Sequence, residues 1–204
     1  MTDNTSLLLE TIKIEEGKVF NLDYHQQRCD FSRSKLLQSK DKLDLSAAIH
    51  PPHKGLYRCR ILYNTKIRSI EYIPYTPKKI STLKIISSNL EYAFKYAKRE
   101  TLDSLLHTHA DVDEIIIEKD GYLTDTSIAN IALYDGEKWI TPSRPLLQGT
   151  MRAKLIDDGL LTLGDIKKEH LSKYTQVALM NAMLGFKILT DISIQDIKGN
   201  RYDY

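Results

Sequence analysis

The sequence lacks most features that mark specialised classes of protein. It has no apolar run long enough to span a bilayer, and residues 1–6 lack the basic and apolar regions of a secretory signal. The net charge of +2 is too small to indicate nucleic acid as the main partner. Cys29 and Cys59 form no CxxC pair, and the histidine spacings fit no common metal site. We therefore expect a cytosolic protein with no membrane, nucleic-acid or metal partner.

The composition that remains is ordinary for a globular protein, with 42% hydrophobic and 27% charged residues. A chain of 204 residues is long enough for one large domain or two small ones. Strand-like and helix-like segments are mixed without strict βαβ alternation, which predicts α+β domains. The span Ile73 to Lys79 holds two prolines and two lysines and is the best linker candidate. We therefore predict an N-terminal domain over residues 1–77 and a C-terminal domain over residues 78–204.

Three helices follow from local signals. Asn21 can cap a helix that runs to about Leu37, after a hairpin of two strands. A second helix is predicted somewhere between Asn89 and Leu106. A third begins near Gly149 and ends at Gly159.

Lys95 is the first candidate for chemistry. If its segment is helical, Lys95 shares a side with Leu102 and Leu106, and apolar neighbours lower the pKa of a lysine by desolvation. A neutral amine is what an aldehyde cofactor needs to form a Schiff base. Taken alone, however, the segment is more typical of a surface lysine whose stem packs on apolar neighbours.

Asp125 is the second candidate, because it follows a short strand at the edge of a hydrophobic hairpin. A carboxylate there can accept a hydrogen bond from a protonated pyridine nitrogen. The simpler interpretation is an aspartate that caps its own turn.

The third candidate is the helix start at Thr150 and Met151, where backbone N–H groups favour a phosphate. The fourth is Asn181-Ala182, at the end of an apolar strand. An ordinary helix start and an ordinary core strand are the alternatives for these two.

The joint order of these segments resembles the class IV aminotransferase family, the fold-type IV enzymes of pyridoxal phosphate (PLP), over nearly the whole chain. The Phe94 to Arg99 segment is similar to the lysine segment of aminodeoxychorismate lyases. The amino-terminal signature is matched by Leu9-Glu10-Thr11-Ile12, Gly17, Asn21-Leu22 and His25-Gln26-Gln27-Arg28. The longest matching block comprises Asp113-Glu114, Gly121, Thr124-Asp125, Ala129-Asn130, Thr141-Pro142 and Gly149-x-x-Arg152.

The resemblance implies a two-domain fold like that of D-amino-acid aminotransferase, with the PLP lysine in the C-terminal domain. It implies that Lys95 is the Schiff-base lysine and that Asp125 faces the pyridine nitrogen, where the family usually has glutamate. The family places this lysine just before a helix, which conflicts with the longer helix predicted above. We follow the family on this point, since helix boundaries are the least reliable sequence-based prediction.

The resemblance also assigns the residues that hold the cofactor phosphate. In the family the arginine of the His-x-x-Arg motif binds it, and this arginine is Arg28 here. The backbone at Thr150 and Met151 is implied to hold the same phosphate. Asn181 and Ala182 resemble the last phosphate-side segment of the lyases.

The function implied is a lyase that converts 4-amino-4-deoxychorismate, a small amino substrate, to 4-aminobenzoate and pyruvate in folate biosynthesis. Many relatives are homodimers, and we expect a homodimer here. Lys98-Arg99-Glu100 stands where the transaminases tend to have a tyrosine, which favours the lyase. A PLP-dependent transaminase of branched-chain or D-amino acids is the alternative, and a non-catalytic α+β binding module is another. Arg58, Arg60 and Arg99 are candidate partners for substrate carboxylates, although each is more typical of a surface or strand-edge cation.

Overall fold

The computed structural model describes residues 7–204. Residues 1–6, where no secretory signal is predicted, lie outside that range. The chain divides into two compact units, the first formed by the residues up to Pro77 together with Phe94–Lys98, and the second by Lys78–Ala93 with Arg99–Tyr204. None of the helices between residues 7 and 204 has the length and the apolar character needed to cross a membrane.

The first unit contains an antiparallel sheet with the strand order β2-β1-β3-β4. Two helices follow the first hairpin. The elements are β1 (Leu8–Glu15), β2 (Lys18–Val19), α1 (Leu22–Leu37), α2 (Leu45–Ala48), β3 (Leu56–Tyr63) and β4 (Ile67–Pro74).

Alternation along β1 explains how this unit forms its core. Leu8, Ile12 and Ile14 are fully buried in one cluster with Cys29 of α1. Successive side chains of a strand point to opposite faces, so this row also contains Glu10. Glu10 is fully buried as well, which places a carboxylate among the core side chains of the first unit.

The second unit is built on a larger mixed sheet with the path β10-β9-β8-β7-β6-β5-β13-β14; β11 pairs with β8 and with β12. The pairs β5–β6, β5–β13 and β9–β10 are parallel. A 3₁₀ helix covers Lys168–Lys173. The other elements are β5 (Thr82–Ser87), α3 (Glu100–Thr108), β6 (Glu114–Lys119), β7 (Tyr122–Thr126), β8 (Asn130–Tyr134), β9 (Trp139–Pro142), α4 (Thr150–Asp157), β10 (Leu161–Gly164), β11 (Gln176–Asn181), β12 (Gly185–Leu189), β13 (Ser193–Gln195) and β14 (Arg201–Asp203).

The structure corrects two predictions about Lys95. Its segment is not helical, and the helix predicted between Asn89 and Leu106 begins only at Glu100. Lys95 also belongs to the first unit, although the sequence placed it in the C-terminal domain. The cause is strand pairing with the start of β1, because the N–H of Leu9 donates to the carbonyl of Lys95 at 2.9 Å and that of Ala97 donates to Leu7 at 2.9 Å. Lys95 therefore lies ahead of the helix, as the family resemblance implies.

Candidate active site

The first unit carries a buried cluster of three polar side chains, Glu10, His25 and Arg28. Nε of Arg28 donates to Oε1 of Glu10 at 2.9 Å, and Nη2 donates to Oε2 at 2.5 Å. Nδ1 of His25 lies 2.6 Å from the same Oε2. The cluster forms because His25 and Arg28 are three residues apart on α1 and therefore share the helix face that packs on β1.

The pKa values of Glu10 and His25 are both lowered, but for different reasons. Burial raises the pKa of Glu10, but the guanidinium of Arg28 and the hydrogen bonds from His25 and Arg28 more than offset this and bring the pKa to about 2. Burial is also the main reason that the pKa of His25 is lowered, and the hydrogen bond to Glu10 opposes the shift. At neutral pH the cluster therefore consists of a carboxylate, a guanidinium and a neutral imidazole that donates its Nδ1 proton to Glu10.

Lys95 is partly buried beside this cluster. Its charge is among the groups that lower the pKa of His25. Tyr96, the next residue, forms an isolated antiparallel bridge with Leu8. Two of the predicted site residues, Arg28 and Lys95, therefore belong to the first unit.

The second unit holds Asp125 in a different environment. Asp125 is 4% exposed. Its Oδ1 accepts a hydrogen bond from Nδ2 of Asn130 at 2.8 Å, and its Oδ2 accepts one from the N–H of Leu147 at 2.8 Å. Burial raises the pKa of Asp125 to about 6, while these two bonds and the charge of Arg152 lower it only in part.

Asn130 connects Asp125 to the start of α4. Its Nδ2 also donates to the carbonyl of Leu147 at 2.9 Å. A Cβ atom on Gly149 would stand 1.9 Å from Oδ1 of Asn130, so a side chain at this position would displace the Asn130 amide. Gly149, near which the third helix was predicted to begin, is therefore required by a close approach to Asn130.

Thr150 and Met151 form the first turn of α4, as predicted. The amino-terminal end of a helix carries partial positive charge and favours phosphate groups. Arg152 is also buried, and its Nη2 donates to the carbonyl of Pro142 at 2.7 Å while its Nη1 donates to Oε1 of Gln148 at 3.0 Å. Arg152 thus ties the start of α4 to the end of β9.

Asn181 lies at the turn between β11 and β12. Its Oδ1 accepts hydrogen bonds from the N–H groups of Met183 at 2.9 Å and Leu184 at 2.8 Å, and its Nδ2 donates to the carbonyl of Ile128 at 3.1 Å. The Asn181 side chain therefore holds two turns together. Ala182 lies inside the turn that Asn181 fixes.

The three candidate arginines for substrate carboxylates differ in their contacts. Arg60 pairs with Glu71 at 3.1 Å. Arg99 donates to the carbonyl of Ser127 at 2.9 Å and pairs with Asp103 at 3.2 Å. Nε of Arg58 is buried and has no hydrogen-bond partner among residues 7–204. Within that same range, no group of three or more His, Cys, Asp or Glu side chains could hold a metal ion.

Sequence reasoning assigned no role to four residues that shape these two environments, namely Glu10, His25, Asn130 and Arg152. Each was part of a matched motif. The available signals were the three-residue spacing of His25 and Arg28 on a helix and the presence of a carboxylate or an amide within an otherwise apolar strand. A buried polar group in a strand requires a hydrogen-bond partner, so both signals point to side-chain networks.

Comparison with known proteins now identifies the family. The sequence profile of the family described as "Amino-transferase class IV" matches residues 7–192. The chain belongs to this family. Its members are PLP-dependent enzymes, and the chain is an enzyme of the fold-type IV class, which counts against the alternative of a non-catalytic binding module.

Similar sequences cover most of the chain. An uncharacterized protein of Haemophilus influenzae is 37% identical over 184 residues, which are 87% of this chain and 98% of that protein. A solved structure from Haemophilus somnus, described as a "putative 4-amino-4-deoxychorismate lyase", is 36% identical with a TM-score of 0.77, and the match covers 88% of this chain and 97% of that one. A Schizosaccharomyces pombe protein, described as a "Putative aminodeoxychorismate lyase", is 35% identical over 75 residues, or 34% of this chain and 32% of that protein.

More distant structures share the fold. The branched-chain amino acid aminotransferase of Escherichia coli is 14% identical with a TM-score of 0.70, and the match covers 93% of this chain and 77% of that one. A Mycobacterium tuberculosis protein described as a hypothetical aminotransferase, solved in a PLP-bound form, is also 14% identical, with a TM-score of 0.72 and coverage of 93% and 82%.

Proposed function

We propose that this enzyme uses PLP to convert 4-amino-4-deoxychorismate to 4-aminobenzoate and pyruvate. The observation that carries the use of PLP is the environment of Asp125. This carboxylate is buried, its hydrogen-bond donors are neutral amides, and its pKa is raised to about 6. A cationic ligand beside Asp125 would supply the favourable charge that burial has removed. A protonated pyridine nitrogen is such a cation.

The other polar groups also fit the chemistry of PLP. A carboxylate offers about four lone-pair sites, and the donors from Asn130, Leu146 and Leu147 leave room for a ring N–H. The first turn of α4 at Thr150 and Met151 suits a phosphate. Arg28 adds a guanidinium that is already oriented by Glu10. We propose that these residues, together with Asn181 and Ala182, hold the cofactor.

When bound, PLP supplies an electron-withdrawing ring that stabilises negative charge on the carbon next to the substrate amine. Lys95 would hold the cofactor covalently, and its free amine would be the base that takes the proton from that carbon. Asp125 would keep the proton on the ring nitrogen. Because the chemistry up to this point is common to lyases and transaminases, the residues named here do not separate the two reactions.

The sequence relatives favour the lyase. The Haemophilus somnus and Schizosaccharomyces pombe proteins carry aminodeoxychorismate lyase descriptions at 36% and 35% identity. The named transaminase from Escherichia coli is only 14% identical and supports the fold alone. A class IV transaminase is therefore the second candidate.

We further propose that the enzyme is a cytoplasmic homodimer in folate biosynthesis, as the family resemblance implies. Sedimentation at several protein concentrations tests whether it forms a dimer.

The cofactor is tested by spectroscopy on three proteins, the wild type, Lys95→Ala and the neighbouring control Lys98→Ala. Each is incubated with PLP, dialysed and treated with borohydride. We expect a visible absorbance band and a borohydride-stable adduct on Lys95 in the wild type and in Lys98→Ala. Lys95→Ala should lose both. If all three proteins dialyse colourless, the proposed use of PLP is wrong.

The reaction is tested by supplying 4-amino-4-deoxychorismate without any keto acid. A lyase releases pyruvate and 4-aminobenzoate in equal amounts. A transaminase instead needs a keto acid for repeated turnover.

We expect Asp125→Asn to reduce turnover on the order of 10²-fold, since it removes the negative charge proposed to face the pyridine nitrogen.

A further inference from the structure

Glu10 holds one complete edge of the Arg28 guanidinium. The two contacts join Nε to Oε1 at 2.9 Å and Nη2 to Oε2 at 2.5 Å, which is the parallel bidentate arrangement of a carboxylate and an arginine. The Glu10 side chain is fully buried, and that of Arg28 is 11% exposed. Both partners are anchored on regular elements, Glu10 on β1 and Arg28 on α1.

We infer that Glu10 is a positioning residue for phosphate binding, which it serves by fixing the direction of the Arg28 guanidinium. This inference rests on the proposed function, in which Arg28 binds the cofactor phosphate. The guanidinium is planar and its N–H groups form a rigid fork. Once Glu10 has bound the Nε edge, the N–H groups on the opposite side can point in only one direction.

His25 supports this arrangement from a third direction. Its Nδ1 contacts Oε2 of Glu10 at 2.6 Å, so the carboxylate is held by α1 at two positions. His25 is fully buried, and burial lowers its pKa, so its imidazole stays neutral at neutral pH. A neutral His25 adds no positive charge, which leaves Arg28 as the cation of the cluster.

Positioning and charge predict opposite effects when the carboxylate is replaced. The negative charge of Glu10 partly offsets the positive charge of Arg28, so simple electrostatics predicts that Glu10→Gln would strengthen phosphate binding. Glutamine, however, presents an amide NH₂ to an arginine edge or an imidazole that also donates, so the bidentate contact is lost. If orientation matters more than net charge, Glu10→Gln weakens phosphate binding. The sign of the change in phosphate affinity therefore shows whether the orientation of Arg28 or the net charge matters more.

The experiment measures dissociation constants of the full-length protein for inorganic phosphate by titration calorimetry and for PLP by absorbance. The variants are Glu10→Gln, Glu10→Asp and the control Glu118→Gln. Glu118 is also a nearly buried carboxylate paired with a cation, Lys168, but it has no role in the proposed site. Glu10→Asp keeps the charge and shortens the side chain, so it serves the test even if Glu10→Gln does not fold.

We expect Glu10→Gln to bind both ligands about tenfold more weakly, the lower end of the loss seen when residues that orient a ligand-binding group are removed. Glu10→Asp should lie between this variant and the wild type, and Glu118→Gln should bind like the wild type. Equal or tighter binding by folded Glu10→Gln and Glu10→Asp overturns the inference while leaving the proposed function intact. If the wild type itself fails to bind PLP, the proposed function fails, and the inference fails with it.

Discussion

Two buried carboxylates, one in each unit, differ in how their charge is compensated. Glu10 lies within the core of the first unit and contacts a guanidinium and an imidazole. Asp125 lies in the second unit and contacts a side-chain amide and a backbone amide. Burial raises the pKa of both groups, yet Glu10 reaches about 2 and Asp125 about 6. The difference comes from the partners and not from the degree of burial.

The cost of burying Glu10 is offset by charged partners within the protein, whereas the cost of burying Asp125 is offset only in part. Glu10 has its cation in the same unit, so its ionised form is favoured. The hydrogen bonds to Asp125 and the charge of Arg152 do not overcome the cost of burying it. A cationic ligand would lower the cost of burying ionised Asp125. The proposed function assigns this role to the protonated pyridine nitrogen.

The largest expected effect on stability separates the two carboxylates. Glu10→Gln leaves the Arg28 charge buried without its partner, and removal of one member of a buried ion pair costs about 3–5 kcal/mol of the free energy of unfolding. At about pH 4, where the folded protein keeps Asp125 protonated, Asp125→Asn only weakens one hydrogen bond, so its cost should be about 1 kcal/mol. Urea unfolding of the cofactor-free proteins measures both. Equal losses would contradict the distinction drawn above.

The two carboxylates should also respond to pH with opposite signs. The folded pKa of Glu10 is below its usual value of 4.5, so its contribution is present above that pH and is lost as the pH falls toward about 2. The folded pKa of Asp125 is above its usual value of 3.8, so its contribution is present at low pH and is lost as the pH rises through about 6.

The unfolding free energy of the wild type minus that of Asp125→Asn should therefore fall by about 3 kcal/mol between pH 3.8 and about pH 6. Urea unfolding of both proteins at a series of pH values measures it. Saturation with PLP should reduce the slope, because a cation beside Asp125 lowers its pKa. A slope that PLP does not change would argue against contact between Asp125 and the ring nitrogen.

Sequence reasoning predicted the elements whose signals are local. The helix Leu22–Leu37 follows its predicted bounds closely, and α4 (Thr150–Asp157) begins next to Gly149, as predicted. The local pattern was wrong about a helix at Lys95, whereas the family resemblance placed this residue correctly ahead of the helix. The backbone of Lys95 bonds to β1 some 85 residues earlier in the chain. Sequence reasoning also missed the strands Leu161–Gly164 and Ser193–Gln195. These strands are short and pair in parallel with distant partners, which no local pattern reveals.

The candidate site shows the same limit. The types and order of Lys95, Asp125 and Arg28 were sufficient to indicate PLP chemistry. Their electrostatic states were not predictable, because the pKa of Asp125 depends on Leu147 and Arg152, which the fold brings to it from 22 and 27 residues away. The role of Glu10 likewise depends on α1 packing against β1, which brings the Arg28 guanidinium into direct contact with this carboxylate.

The smallest expected effect tests how Asp125 is held. In Gly149→Ala the new Cβ would stand 1.9 Å from Oδ1 of Asn130, although φ of −71° at this position suits alanine. The Asn130 amide must therefore turn away, and Asp125 loses a hydrogen bond that stabilises its ionised form. We expect a loss of about 1–2 kcal/mol of unfolding free energy, weaker PLP binding and a pKa of Asp125 higher than in the wild type.

Gly164→Ala provides the control, because its Cβ would also be crowded, at 2.6 Å from Cγ2 of Ile140, but it would not touch Asn130. It should lower stability to a similar extent without changing PLP affinity or the pH dependence assigned to Asp125. If the two variants lose PLP affinity equally, the loss reflects general destabilisation of the second unit. If only Gly149→Ala loses affinity, the amide of Asn130 controls the ionisation of Asp125, and the contrast between the two buried carboxylates depends on a single side chain.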